Sequence, residues 1–486
     1  MFCLRPLAMF ITKQTEGVLA CAPSVFERRF FMTKGQDFLS GSVPGKLIAF
    51  ALPLLFANIL QSLYNVVDML VVGRFVGETG LAAISNASKL CYILNSICIG
   101  ITMGGAVLIA QYKGANDKKG QAETFQMLSL LSLAASILLT VISSAIYRPV
   151  FRVLEVPADA FGDACDYMRI ICFGTVFVFG YNAVCSVLKG LGDSKSPLCF
   201  AGIAAVINVG LDVVLVGPLG LGTKGAACAT VTAQGISFLF SLFYLKRHHV
   251  FLSAAESRKF TARWDKMAAI LKIGLPAATQ MVVVNTAYLL VTGMLNRFGT
   301  SVSAAAGVGL QINTFAGMPC WAVGQAVTAM VGQCMGAGQT ERAGKVARTG
   351  LLVNTAATLV VVLCVQVFAE QLILLFGGDS REVVACGVYY LRVCCGVNSF
   401  IYAAMYTLDS FAMGVGAANI AMLNALLDAV VLRLPASWVL AFTLGMGYSG
   451  ICFGQALSPL LPAVAGFIYY KSGKWEYRRT IEKSLK

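Results

Sequence analysis

Apolar runs of about 20 residues, the length a helix needs to cross a bilayer, recur along the whole chain. Hydrocarbon supplies no hydrogen-bond partners, so a chain of this kind crosses it only as helices or as a closed barrel. A barrel needs short strands of alternating polarity, and no such strands are read here. Of the 486 residues, 58% are hydrophobic and only 12% are charged. The expectation is an all-α integral membrane protein with no soluble domain. The net charge of +14 is carried mainly by short loops and the C-terminal end. That pattern marks cytoplasmic loops rather than a nucleic-acid surface, so no nucleic-acid partner is expected.

Hydropathy places twelve spans near 47–72, 81–111, 121–146, 161–188, 196–217, 224–245, 267–293, 303–335, 346–375, 383–412, 418–441 and 449–470. Lysine and arginine cluster after the even-numbered spans: Lys113, Lys118 and Lys119, then Lys189 and Lys195, then Lys246 and Arg247, then Arg342, Lys345 and Arg348. The even loops and both termini are therefore expected in the cytoplasm. PLLFANILQSLYNVVDMLVVGRFV aligns with PAATQMVVVNTAYLLVTGMLNRFG at a shift of about 223 positions. Further on, AQYKGAND resembles GQCMGAGQ, and LKGLGDSK resembles AMGVGAAN. Six spans per repeat make the halves parallel, related by an axis along the membrane normal. The expected organisation is an N-lobe over 32–245, a cytoplasmic linker over 246–266, a C-lobe over 267–470 and a basic tail over 471–486. Residues 1–31 lack the order of a signal peptide. They are expected to be a non-native or disordered extension, with Met32 as the start.

Two carboxylates lie where membrane depth makes charge costly. Asp68 falls in YNVVDMLVVGRFVG and Asp212 in INVGLDVVLVG. An ionisable residue in a span is by default a functional candidate. Asp68 follows Lys46 by roughly 33 Å of helix and Asp212 follows Lys195 by roughly 25 Å, so both belong in the outer half. Asn208 and Asp212 share a face at i, i+4, and Gln61 shares one with Asp68. Thr230 enters at similar depth on span 6. These five side chains are placed to converge. A carboxyl group in low dielectric favours its neutral form, which suits proton exchange; two acids with amide and hydroxyl oxygens also suit a small hard cation. In the C-lobe, the position aligned with Asp68 is Val291. Gln280, Asn285, Gln311, Asn313 and Gln325 make spans 7 and 8 polar enough to wall a wetted cavity. Asp428 and Arg433, five apart, do not share a helical face well, so an ion pair through a neighbour and a functional role are both open. Asp409 reads as solvated near a helix end. Pro53 and Pro276 sit inside early turns, where they permit bending or fix a kink.

The inventory excludes most enzymes. His248 and His249 are the only histidines, no Walker A run occurs, and the cysteines show no ligand spacing. Catalytic residues and cofactors are expected to be none.

The runs ALPLLFANILQSLYNVVDMLVVGRFVG, LKGLGDSKSPL, NVGLD with KGAACAT, and VLRLPASWVL, in this order, resemble bacterial members of the multidrug and toxic compound extrusion (MATE) family. The resemblance covers about residues 40–470. It implies two six-helix lobes around a V-shaped cleft and antiport of organic cations against Na⁺ or H⁺. It assigns the coupling cation to Asp68, Asn208, Asp212 and Thr230, with Asp68 and Asp212 as metal ligands in the Na⁺ case. It assigns Gln61, Tyr167 and Asn182 to the cavity and a hinge to Pro53. Some relatives place a Glu on helix 7; this chain has QMVVVNT there, without an acid. The expected protein is a monomeric multidrug exporter of the cell membrane, acting on amphipathic cationic molecules. The alternative within the same superfamily is a flippase for a lipid-linked precursor.

Overall fold

The computed structural model describes residues 35–248, 263–377, 380–396 and 398–478. The expectations for residues 1–31, most of the 246–266 linker and the end of the tail lie outside the described residues. The first six spans are α1 (Val43–Phe75), α2 (Glu78–Gly114), α3 (Lys118–Val153), α4 (Ala158–Gly190), α5 (Lys195–Val216) and α6 (Gly222–Arg247). The next are α7 (Trp264–Leu295), extended by a 3₁₀ turn, then α8 (Thr300–Gly336) and α9 (Thr340–Val367) with the short α10 (Ala369–Gly377). Span 10 is α11 (Arg381–Cys394) and α12 (Asn398–Val415), bent by 50°. Span 11 is α13 (Ala418–Leu426), a π segment Leu427–Arg433, α14 (Leu434–Trp438) and a second π segment Val439–Thr443. Span 12 is α15 (Tyr448–Leu457) and α16 (Leu460–Lys471).

Ten of these helices are long and apolar enough to cross a membrane, and the bent pair makes an eleventh span. The twelfth is α8. It is 37 residues long but too rich in Gly, Ser, Thr and Gln to pass on hydropathy. Its packing explains this: α1, α2, α9, α11 and α12 all lie against it. A helix enclosed by protein need not be apolar all round.

The described ends and the turns after α2, α4, α8 and α12 share one face, called here the basic face for Lys113, Lys118, Lys189, Lys195 and Arg342. Near it, hydrophobic clusters join both lobes. One unites Phe38, Leu47 and Phe50 with Met330, Val346 and Phe411; another unites Val107 and Met127 with Ile273 and Met413. Toward the opposite face the clusters stay within a lobe, around Val72 and Met168 in one and Val291 and Ile451 in the other. The lobes thus meet at the basic face and part away from it, as a V.

Small residues permit the meeting. Gly100 and Gly104 of α2 oppose Ala278, Gly274 and the Ile270 carbonyl of α7, where an added Cβ would collide with backbone. This is the small-xxx-small geometry of close membrane helices. Asn285 of α7 donates to Ser96 of α2 at 2.8 Å, and Lys189 of α4 donates to Gln325 of α8 at 2.9 Å. Arg342, after α8, donates to the carbonyls of Phe38, Ser40 and Gly41 ahead of α1.

Both described ends also pack. Phe38 is fully buried, edge-on to Phe50. Trp475 stands edge-on to Phe411 at 4.9 Å and donates to the Tyr470 carbonyl. Emptying a site of that size typically costs about 3 kcal/mol or more. Trp475→Ala is expected to lower the thermal unfolding midpoint of the purified chain by several degrees, read by size-exclusion chromatography after heating. A midpoint equal to wild type would show that the tail does not brace the core.

Candidate functional site

Four helices of the first lobe each bring polar groups to one depth. On α1, Gln61, Tyr64 and Asp68 follow one face at spacings of three and four. On α5, Asn208 and Asp212 do the same, and on α6 Thr230 and Gln234. Tyr167 comes from α4. The tight α5–α6 reversal, with Gly220 at φ 61° and Gly222 at φ 56°, folds α6 back along α5. Asn208 then donates to the Thr230 hydroxyl at 3.4 Å. Asp68 and Asp212 lie within electrostatic range of each other and of the Tyr167 hydroxyl. The Tyr64 hydroxyl sits between the amides of Gln61 and Gln234. All of this lies in the half of the lobe away from the basic face.

The chemistry of the cluster is an excess of acceptors. Asp212 is fully buried and Asp68 nearly so. Neither carboxylate oxygen of Asp212 has a hydrogen-bond partner, nor do Asp68 Oδ1, Asn208 Oδ1 and Gln234 Oε1. Among the described residues no Lys or Arg forms an ion pair with either acid. Buried acceptors without donors are costly. A proton or a small hard cation removes that cost, and oxygen ligands are the type such cations take.

The remaining candidates scatter. Gln311 is exposed and Gln280 half-buried, while Gln61, itself exposed, stays with the cluster beside Tyr64. The Asn182 amide donates within its own helix, to Val178 at 2.8 Å. Asn285 and Gln325 are engaged between the lobes, and Asn313 Oδ1 contacts the Cys395 thiol at 3.2 Å. Pro53 and Pro276 lie inside unbroken helices. Sequence reasoning missed Tyr64 and Gln234; both lie within one turn of a candidate on their own helix.

Two expectations about the second lobe need correction. Asp409 is not solvated: it is 5% exposed and accepts from Asn424 Nδ2 at 2.5 Å. It lies close to a helix end, but α8, α13 and α16 cover that end of α12. Asp428 and Arg433 do share a face. The segment Leu427–Arg433 is π-helical, and i→i+5 winding sets residues five apart one above the other. The pair is direct, at 2.8 Å, with both side chains buried, and the guanidinium lies 4.3 Å over the Tyr288 ring. Buried Asp428 is thus ion-paired and Asp409 amide-bonded, whereas among the described residues Asp68 and Asp212 have no cationic partner.

The two situations respond differently to mutation. Arg433→Met strands a buried carboxylate, a loss of about 3–5 kcal/mol, and adding Asp428→Leu should recover part of it. Asp212→Asn removes an unpaired charge and should leave the unfolding midpoint near wild type. Thermal unfolding of these variants checks both, and a large drop for Asp212→Asn would reveal a cationic partner.

The MatE family's sequence model matches residues 53–214 and 276–439. YpnP of Bacillus subtilis (strain 168), a probable multidrug resistance protein, is 31% identical over 449 residues, 91% of this chain and 98% of its own. The probable multidrug resistance protein NorM of Thermotoga maritima is 24% identical over 447 residues, 90% of this chain and 94% of its own. Among solved structures, an outward-facing multidrug resistance MATE transporter of the MOP superfamily is similar with a TM-score of 0.86. It is 21% identical, over 90% of this chain and 98% of that one.

Proposed function

The chain belongs to the MatE family of multidrug efflux transporters, and from that premise we propose that it exports amphipathic, cationic small molecules in exchange for H⁺ or Na⁺. The observation that carries this reading is the cluster of buried, unpartnered acceptors around Asp68 and Asp212. The basic face is cytoplasmic in this proposal, so the V opens outward and the cluster meets ions arriving from outside.

Asp68 and Asp212 hold the coupling cation, and Asn208 and Thr230 supply neutral oxygens. With the cation bound, the buried negative charge is cancelled and the packing of α1 against α5 and α6 gains stability. With the cation gone, the two carboxylates repel one another and attract a cationic drug. A cation that prefers one of two packings shifts the balance between them, and Pro53 is the hinge that lets α1 follow. One charge crossing the full membrane potential contributes ~2.3 kcal/mol per 100 mV, so each inward cation adds a usable drive. A flippase for a lipid-linked phosphate would need free cationic charge in the cleft. Arg433 is already paired with Asp428, which favours cation export.

The test is ethidium efflux from proteoliposomes under an imposed Na⁺ gradient and, separately, a pH gradient. Wild type should respond to one of them, which names the ion. Asp68→Asn and Asp212→Asn should lose at least tenfold of the driven rate at equal incorporation. Full coupled efflux by either variant would refute the assignment.

A further inference from the structure

The repeat pairs Gln111 with Gln333, Gly114 with Gly336 and Gly190 with Gly414, and none of these enters the cation site. The structure gives the pairs a shared task. Gln111 of α2 donates from Nε2 to the carbonyl of Gly414 in the second lobe at 3.2 Å. Gln333 of α8 donates from Nε2 to the carbonyl of Gly190 in the first lobe at 2.9 Å. The two bonds are copies of one another across the pseudo-two-fold axis. Both glutamines are buried, at 2% and 1% exposure.

The acceptors are helix ends. Gly190 closes α4 and Gly414 lies in the last turn of α12, where carbonyls have no partner within their own helix. Each lobe thus lends a side-chain amide to cap a helix of the other. The backbones make room for it. A Cβ on Gly114 would run into the Gln333 carbonyl, and one on Gly336 into the Gln111 carbonyl. Just past the caps, Gly192 at φ 84° and Gly416 at φ 87° turn the chain in the same left-handed way, a conformation that favours glycine.

We propose that Gln111 and Gln333 form a reciprocal clasp that holds the lobes together at the basic face, and that its release opens the cleft toward that face. The proposal rests on the reading of the chain as a two-state transporter. A rotation of one lobe against the other separates both bonds in a single movement, and water then replaces the lost partners. Each bond therefore biases the balance without fixing it, by about three- to tenfold.

Hydrogen–deuterium exchange of the full purified chain in lipid nanodiscs tests this without measuring transport. Gln111→Glu and Gln333→Glu keep the side-chain size and lose the donor. Segments 107–117 and 328–338 should exchange about three- to tenfold faster in each single variant and faster still in the double variant. Segments 63–75 and 291–302, at the far end of the V, should not accelerate. Gly114→Ala and Gly336→Ala force the helices apart with the amides intact and should give the same one-ended pattern. Unchanged exchange in the double glutamine variant would overturn the clasp. So would equal acceleration at both ends in the glutamine and glycine variants alike, because that describes residues bracing the whole fold. Loss of gradient-driven efflux in Asp68→Asn bears on the cation site alone, so the two readings fail separately.

Discussion

Hydrocarbon offers no hydrogen bonds, and that one constraint organises the molecule. It forces the spans to be helical, leaves their polar ends at the two faces, and makes each buried charge a liability unless something answers it. The basic face answers with caps and clamps: the Arg342 carbonyl contacts, Lys189 on Gln325 and the crossed glutamines. The second lobe answers with an ion pair. Among the described residues Asp68 and Asp212 have no cationic partner, and in the proposed mechanism an ion from solution supplies one.

The halves descend from one pattern but no longer do the same work. Val291, at the position matching Asp68, packs with Leu295, Val302 and Ile451. The second lobe is therefore apolar where the first is acidic, and its own acids lie elsewhere, bonded to Asn424 and Arg433. What the halves still share is their mode of contact, in the α2–α7 crossing and the paired helix ends.

Much of the fold was legible in the sequence because lipid-facing helices must be apolar and basic loops sort to one side. Span 8 was read from hydropathy with the others, while its weaker apolar character reflects enclosure by protein rather than lipid. Asp68, Asn208, Asp212 and Thr230 could be grouped from spacing and depth because α-helical periodicity holds through α1, α5 and α6. It fails at Leu427–Arg433, where a π segment changes which residues align, so the direct Asp428–Arg433 contact was read only as an ion pair through a neighbour or a functional role. Asp409 was misread because distance to a helix end says nothing about which helices cover that end. The repeat aligned the runs that hold Gln111, Gln333, Gly190 and Gly414 but not the bonds between them, since contacts between lobes depend on a rotation no linear pattern records.

The π segment also decides what kind of sequence change span 11 can absorb. Removing one residue between 427 and 433 would tighten the winding to α. Asp428 and Arg433 would then stand four apart, a spacing that shares one face of an α-helix, so their pairing would survive the loss. Side chains beyond it, Trp438 and Phe442 included, would keep their facing. Span 11 should therefore absorb the loss of one residue here, where a deletion in a plain α-helix would turn everything beyond it by roughly 100°.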